Sequence, residues 1–139
     1  MPETWCPFTI RRPGPPEKVN GPPRTGKGAV LHSAEGSLAA ALGELDKPDR
    51  QASWHFTVAK DGNLYQHYPI EAQAWHAGPK ANPFYAGIEH EGFAGQPLTD
   101  PQLETAVRLL RWLAATEAWP GFARRRLPPL REDGEGVRG

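Results

Sequence analysis

The stretch SWHFTVAKDGNLYQHY, residues 53–68, constrains the fold more than any other part of the chain. Trp54, Phe56 and Val58 alternate with other residues, an Asp-Gly pair follows at 61–62, and a second short run then returns. Alternation with period two is typical of a β-strand, and Asp-Gly is a favoured connection between two antiparallel strands. The stretch therefore predicts a β-hairpin.

Two further strands are predicted outside the hairpin. The short apolar run AVLH at 29–32 has the composition of a buried strand, and it ends on His32. The run AGIEHEG at 86–92 is bounded by glycines and carries an unusual charge load for a strand. Because successive side chains of a strand alternate, Glu89 and Glu91 are expected on one face and the intervening imidazole on the other.

Two helices are predicted among these strands. Ser37 can cap a short helix whose leucines share one face until Pro48 stops it. Thr99 and Gln102 form a capping box that opens a long amphipathic helix, expected to continue to about Ala118. Strands interleaved with helices predict a single α/β domain with a small mixed central sheet, and the long helix should cover the face opposite a cleft.

Composition divides the chain into three parts. Residues 1–27 are rich in Pro and Gly, which predicts an irregular N-terminal arm draped over the domain. Residues 28–120 carry the periodic patterns and are expected to form the domain. Residues 121–139 hold clustered Arg, Pro and Gly with few apolar residues, so a disordered basic tail is expected.

Bulk charge and hydrophobicity exclude several classes of partner. The 16 Lys and Arg residues balance 16 Asp and Glu residues over 139 positions, so no net field attracts the molecule to nucleic acid or to an anionic membrane. No run approaches the roughly 20 apolar residues of a membrane span. Residues 1–20 contain no apolar run of the signal-peptide type, so the product is expected to stay in the cytoplasm as synthesised.

Three groups of residues could carry chemistry. A His that closes a buried strand, such as His32, is more often a hydrogen-bonded core residue than a metal ligand. Trp75 and His76 offer an aromatic plate and an imidazole in a loop, which suits a sugar or peptide ligand as well as simple loop packing. A carboxylate on a sheet face is costly to bury without a partner, so Glu89 is a stronger functional candidate.

The order of these motifs resembles that of the zinc-dependent N-acetylmuramoyl-L-alanine amidases, which include phage endolysins, and of the peptidoglycan recognition proteins. The resemblance rests on a strand ending in His, the hairpin, the loop AWHAG at 74–78, an Asn at 82, the strand GIEHEG at 87–92 and the Thr-Asp-x-Gln start of the long helix. It covers roughly residues 29–115. It implies an amidase-like α/β fold and activity on bacterial peptidoglycan, at the amide between N-acetylmuramic acid and L-alanine.

The resemblance also implies roles for individual residues. His32 matches the first zinc ligand, and Glu89 matches an acidic residue that serves as general base in some members. Trp54 stands where several members have a catalytic Tyr. An indole cannot relay a proton, so Trp54 is expected to shape the cleft. The remaining substrate contacts are expected at Trp75, His76 and Asn82.

The chain departs from the family pattern after the long helix. Members continue with a strand bearing Gly-His and a Lys before the third ligand, whereas no His follows His90 and no Cys follows Cys6. A zinc site completed by residues of this sequence is therefore not predicted. His55 and His90 are expected to point away from the cleft, and His67 to be a solvated hairpin residue.

These observations leave several functions open. The first is a monomeric amidase, complete or weakened, that reaches the cell wall after phage-type release or acts in cytosolic wall recycling. The second is a peptidoglycan-binding module without catalysis, and the third is a truncated or frameshifted gene product. The change in composition near Gly121 fits a shifted reading frame, or a basic tail that binds anionic wall polymers.

Overall fold

The computed structural model of the protein describes residues 2–120. These residues form seven short strands, a single-turn 3₁₀-helix and two α-helices. In chain order the elements are β1 Ile10–Arg11, the 3₁₀-helix Pro16–Lys18, β2 Val19–Asn20, β3 Gly28–Ser33, α1 Leu38–Asp46, β4 Phe56–Val58, β5 Leu64–Gln66, β6 Gln73–Ala74, β7 Tyr85–His90 and α2 Asp100–Thr116.

Five of the strands form a mixed sheet in the order β1-β5-β4-β7-β3. β4 and β5 are antiparallel and form the predicted hairpin, with Gly62 in its turn at a φ of +91°. β7 runs parallel to both of its neighbours, β4 and β3. β2 and β6 pair separately as an antiparallel ribbon. The predicted α/β class with a small mixed sheet is confirmed.

The two helices begin as the sequence predicts. The Ser37 side chain accepts a hydrogen bond from the Ala40 amide at the start of α1. At the start of α2, Thr99 and Gln102 make both hydrogen bonds of the capping box. α2 packs Leu109 and Leu113 onto one face of the sheet, where a hydrophobic core forms. The core is completed chiefly by Cys6, Phe56, Val58, Leu64, Ile70, Ala86 and Ile88.

The N-terminal segment is more regular and more deeply packed than the predicted arm. β1 pairs in parallel with β5, and β2 pairs with β6, so both join sheets. The buried Lys18 ammonium donates hydrogen bonds to the Leu45 and Lys47 carbonyls at the end of α1, at 2.8 and 3.0 Å. Two-residue strands carry too short a pattern to stand out among prolines, which explains the difference.

A buried ion pair fastens the N-terminal segment to the end of α2. The Arg24 guanidinium pairs with the Glu117 carboxylate, and their side chains are 0% and 9% exposed. Arg24 also donates to the Ile70 and Phe84 carbonyls, so its charge and its donors are satisfied together. The segment before β3 is thereby joined to the end of α2.

Residues 121–139, for which a disordered tail is predicted, lie outside the described residues. Within residues 2–120, no helix has the length and apolar content needed to cross a membrane.

Candidate functional site

Three side chains form a row across the sheet on the face opposite α2. His32 of β3 is the register partner of Glu89 of β7, and Glu89 is in turn the register partner of Thr57 of β4. Partners in register on neighbouring parallel strands point to the same side of a sheet. The imidazole and the carboxyl group predicted to converge are therefore neighbours on this surface, which we call the site face.

The surroundings of Glu89 favour its protonated form. Its Oε2 atom is buried and has no hydrogen-bond partner in the described part of the chain. Burial, and to a lesser extent the negative charge of Glu35, raise the pKa of Glu89 to about 7. The side chain can thus both take up and release a proton near neutral pH.

His76 joins the site face from the loop that follows β6. Its Nδ1 lies 3.0 Å from the Nε2 atom of His32, and its Nε2 donates to the Tyr85 carbonyl at 2.8 Å. Burial lowers the pKa of His76 to about 4. The sequence predicted a substrate contact at His76, and the structure adds a hydrogen bond to His32 that was not foreseen.

His55 lies on the site face and not away from it, which corrects the expectation from the hairpin pattern. Its ring is fully buried 6.1 Å from the ring of His76, measured between centroids. Its Nε2 donates to the Ala72 carbonyl, and its Nδ1 accepts from the Gly87 amide. Both ring nitrogens are therefore occupied, and burial lowers the pKa of His55 to about 3.

Trp54 lies below the surface, whereas a wall of the cleft was expected. It is 6% exposed and packs with Leu45 and Tyr68, and its indole donates to Thr57 Oγ1 at 2.8 Å. Counted back from Thr57, strand alternation assigns His55 and not Trp54 to the site face, and Leu45 of α1 and Tyr68 cover the indole. Trp54 thus packs against Thr57 of the site face, and its part in shaping the cleft for a substrate remains a prediction.

Trp75 and Asn82 border a cavity of about 410 Å³ next to the His76 loop. Trp75 is half-buried, and its indole donates to the Asn20 side chain at 3.0 Å. The Asn82 side-chain oxygen accepts hydrogen bonds from the backbone amides of His76 and Ala77, at 3.2 and 2.9 Å. Asn82 therefore shapes the loop, and its contact with a substrate remains a prediction.

Two residues that the sequence placed near the surface have structural roles. The Glu91 carboxylate accepts hydrogen bonds from the Leu38 amide at the start of α1 and from the Lys60 amide. Both of its oxygens are therefore held by the backbone, unlike the Oε2 atom of Glu89. His67 is 1% exposed, and the expectation of a solvated residue is wrong. It bonds to Thr57 Oγ1 and to the Arg12 carbonyl, both at 2.7 Å, because the N-terminal segment covers the hairpin.

The residues of the site do not make up a complete zinc site. Residues 2–120 bring together no group of three His, Cys, Asp or Glu side chains able to hold a metal ion. His32 meets His76 through one nitrogen, while His90 donates to the His32 carbonyl on the other face of the strand. A catalytic zinc ion needs three protein ligands and an open position, so this donor set does not fit it.

Glu35 is the participant that the sequence did not reveal. It has a φ of +55°, and its carboxylate accepts a hydrogen bond from the Ala94 amide at 2.7 Å. Its charge contributes to the raised pKa of Glu89. A Glu in a short connection after a strand carries no pattern that would distinguish it, so only its position in three dimensions identifies it.

An imidazole in register with a carboxyl group that titrates near pH 7 is suited to acid–base chemistry on a bound substrate. Comparisons with known proteins agree with a hydrolytic class. The N-acetylmuramoyl-L-alanine amidase family model matches residues 22–126. The chain is 31% identical over 121 residues to N-acetylmuramoyl-L-alanine amidase A of Achromobacter lyticus, covering 78% of this chain and 68% of that protein. The chain belongs to the N-acetylmuramoyl-L-alanine amidase family.

One solved structure supports the same assignment, and a second shares the fold. A mutant endolysin from Bacillus subtilis is 28% identical, with a TM-score of 0.65 over 80% of this chain and 77% of that one. The human peptidoglycan recognition protein PGRP-IBETAC, solved with glycosamyl muramyl pentapeptide, shares the fold at 20% identity, with a TM-score of 0.64 over 84% and 80% of the two chains. Other curated amidases are matched over as little as 16% of their length.

Proposed function

We propose that this chain acts on bacterial peptidoglycan and hydrolyses the amide between N-acetylmuramic acid and the L-alanine of the stem peptide. One observation carries the proposal: Glu89 lies in register with His32 and has a pKa near 7 and an oxygen without a partner. Family membership supplies the substrate class. The curated relatives are longer than the stretch they share with this chain, so the activity of the whole protein is part of the proposal.

Glu89 is the proposed general base. In its ionised form it takes a proton from the water that attacks the amide carbonyl. In its protonated form it gives that proton to the nitrogen of L-alanine as the C–N bond breaks, which regenerates the carboxylate. A group whose pKa lies close to the working pH performs both transfers efficiently. Trp75, with the cavity beside it, is the proposed contact for the sugar or the stem peptide.

Zinc is the proposed cofactor by lineage, since the family generally depends on it. His32 is its proposed first ligand. Because the described residues supply no set of three ligands, we expect turnover by this chain to be weak.

Cleavage of soluble muropeptides tests the proposal. The chain is incubated with muropeptides with and without added zinc, bound zinc is measured, and peptides that begin with L-alanine are quantified. Glu89→Gln should reduce cleavage at least about a hundredfold, the scale of a lost general base, with little change in muropeptide binding. Glu104→Gln, an exposed change on α2, is the matched control. Equal activity of the two variants would refute the role of Glu89.

A second candidate is recognition of peptidoglycan without cleavage. The absence of three convergent metal ligands within residues 2–120 favours it. The related human recognition protein, whose fold this chain shares, was solved bound to a muramyl pentapeptide. Saturable binding to insoluble peptidoglycan, with no release of L-alanine-terminated peptides at any zinc concentration, would support recognition over hydrolysis.

A further inference from the structure

A chain of hydrogen bonds runs from the site face into the backbone of β7. His32 Nε2 lies 3.0 Å from His76 Nδ1, and His76 Nε2 lies 2.8 Å from the Tyr85 carbonyl oxygen. The two imidazole rings are nearly perpendicular, at 82°, with their centroids 5.2 Å apart. This geometry brings the nitrogens together edge to edge and not by stacking.

The end of this chain determines where each proton lies. A carbonyl oxygen can only accept, so His76 Nε2 must carry a hydrogen. A neutral imidazole has one N–H group, which leaves His76 Nδ1 as an acceptor. The hydrogen bond between the rings then requires the hydrogen on His32 Nε2. The lone pair of neutral His32 is consequently at Nδ1.

The His32 Nδ1 atom is left available on the site face. No hydrogen bond to it is made within the described range, and it is not among the buried polar atoms without partners, so solvent reaches it. The tautomer selected by His76 thus presents a basic nitrogen outward. Without His76, an imidazole in water populates both tautomers, and part of the population would present an N–H group instead.

Three features hold the His76 ring in place. The first is the bond to Tyr85, and the second is the Asn82 side chain, which fixes the backbone at His76. The third is Gly87, against which the ring lies so closely that an added Cβ atom would be 2.6 Å from His76 Cγ. A side chain at position 87 would displace the ring, which gives the glycine a direct part in the arrangement.

We propose that His76 is a positioning residue that fixes the tautomer and orientation of His32, so that Nδ1 of His32 is the electron-pair donor of the site. The inference concerns the site of the proposed function and deepens it. It assigns His76 a task distinct from the substrate contact that the sequence suggested. A group bound at His32, whether a cation or a hydrogen-bond donor of the substrate, meets a lone pair.

Nitrogen NMR of the histidine rings tests the proposal without any assay of activity. The full chain is labelled with ¹⁵N-histidine, and long-range ¹H–¹⁵N correlations are recorded at pH 8. The His32 signals are assigned by their loss in His32→Gln among the five histidines. We expect a single Nε2–H tautomer for His32 in the native chain. A mixture, or the Nδ1–H form, would overturn the proposal.

Variants separate positioning from general packing. His76→Phe should give His32 a detectable Nδ1–H fraction that the native chain lacks, and Gly87→Ala should act in the same direction by displacing the ring. His76→Asn, whose side-chain oxygen can accept near the place of Nδ1, should restore most of the Nε2–H form. Gly43→Ala, with open space around its Cβ position, is the control and should leave the spectrum unchanged.

An unaltered His32 tautomer in a folded His76→Phe or Gly87→Ala chain would contradict the proposal. Absence of muropeptide cleavage would count against the proposed function but would leave the tautomer result standing, so the two failures are distinguishable.

Discussion

The Glu89 oxygen without a hydrogen-bond partner is the clearest case of a residue placed for function at a cost in stability. A buried polar atom that makes no hydrogen bond reduces the stability of the fold by roughly 1–3 kcal/mol. Glu91, the residue that follows β7, has both of its oxygens bonded to backbone amides. Of these two carboxylates, the one in register with His32 has an oxygen without a partner among the described residues, which is expected of a group that acts on a ligand.

The raised pKa of Glu89 predicts a measurable pH dependence of stability. The pKa rises from 4.5 in the unfolded chain to about 7 in the native one, so the native state holds the extra proton between these values. The contribution of this group is present below pH 4.5 and is lost as pH rises through 7. The stability of the native chain relative to Glu89→Gln should therefore increase by about 1–2 kcal/mol from pH 8 to pH 5, allowing for partial solvent access. Urea unfolding at the two pH values measures it, and a constant difference would contradict it.

His67 predicts the opposite trend. Burial lowers its pKa from 6.5 to about 4, so the unfolded chain binds the extra proton in that range. The stability that neutral His67 contributes is fully present above pH 6.5 and is lost as pH decreases toward 4. When the pH is lowered from 7 to 5, the free energy of unfolding of His67→Gln should decrease by about 1–2 kcal/mol less than that of the native chain. At pH 7 the variant should be the less stable of the two. Equal losses in denaturant titrations would exclude this role for His67.

At the scale of single side chains, the sequence predicted what depended on regular strands. Alternation in β7, together with the His at the end of β3, correctly implied that His32 and Glu89 share a face. The expectation for His55 was wrong because it took Trp54 as the residue facing the cleft, whereas His55 lies two positions before Thr57 and so shares the site face with it. The link between His76 and His32 joins residues 44 positions apart, and no local pattern indicates it.

Among the secondary-structure elements, α2 shows most clearly which interactions stabilise its two ends. The start of α2 follows from its capping box, which the sequence contains in full. The end of α2 depends on Glu117, whose partner Arg24 lies 93 residues earlier and could not be inferred from the sequence around either residue. Short-range signals therefore predicted where α2 begins, and tertiary contacts determine how its end is held.

Replacing Glu117 by Gln should destabilise the fold strongly. The change leaves the buried Arg24 charge without its counter-ion, and loss of one partner of a buried pair costs about 3–5 kcal/mol. The amide oxygen can still accept one hydrogen bond, so we expect about 2–3 kcal/mol. Thermal and urea unfolding measure the loss.

Glu44→Gln is the matched control, since Glu44 pairs with Lys47 and Arg50 on the surface and should show no measurable change. If the two variants were equally stable, the pair at Glu117 would not hold the helix end.

For the whole molecule, the sequence predicted the class of fold, and the comparisons confirm the family. It did not predict that β1 and β2 join the sheets, because strands of two residues have no period to detect. The division of the chain at residues 27 and 120 remains a prediction.

The incomplete donor set predicts a weak response of the whole chain to zinc. Ligands stabilise a fold in proportion to their affinity for the native state. At about 50 μM free zinc, a site with one or two imidazoles should raise the melting temperature of the chain by about 2 °C or less. A rise of 5 °C or more, reversed by a chelator, would show that other residues complete the site.

The bond between Arg24 and Glu117 also bears on how the molecule is made. A ribosome releases residue 24 long before residue 117, so the guanidinium has no counter-ion while most of the sheet is being synthesised. β1 likewise cannot pair until β5 has been synthesised, because Ile10 pairs with Tyr65. The nascent polypeptide therefore cannot complete its fold until almost all of the described sequence has emerged. Interruption of translation before Glu117 would leave an incompletely folded product, which is a substrate for chaperones and proteases.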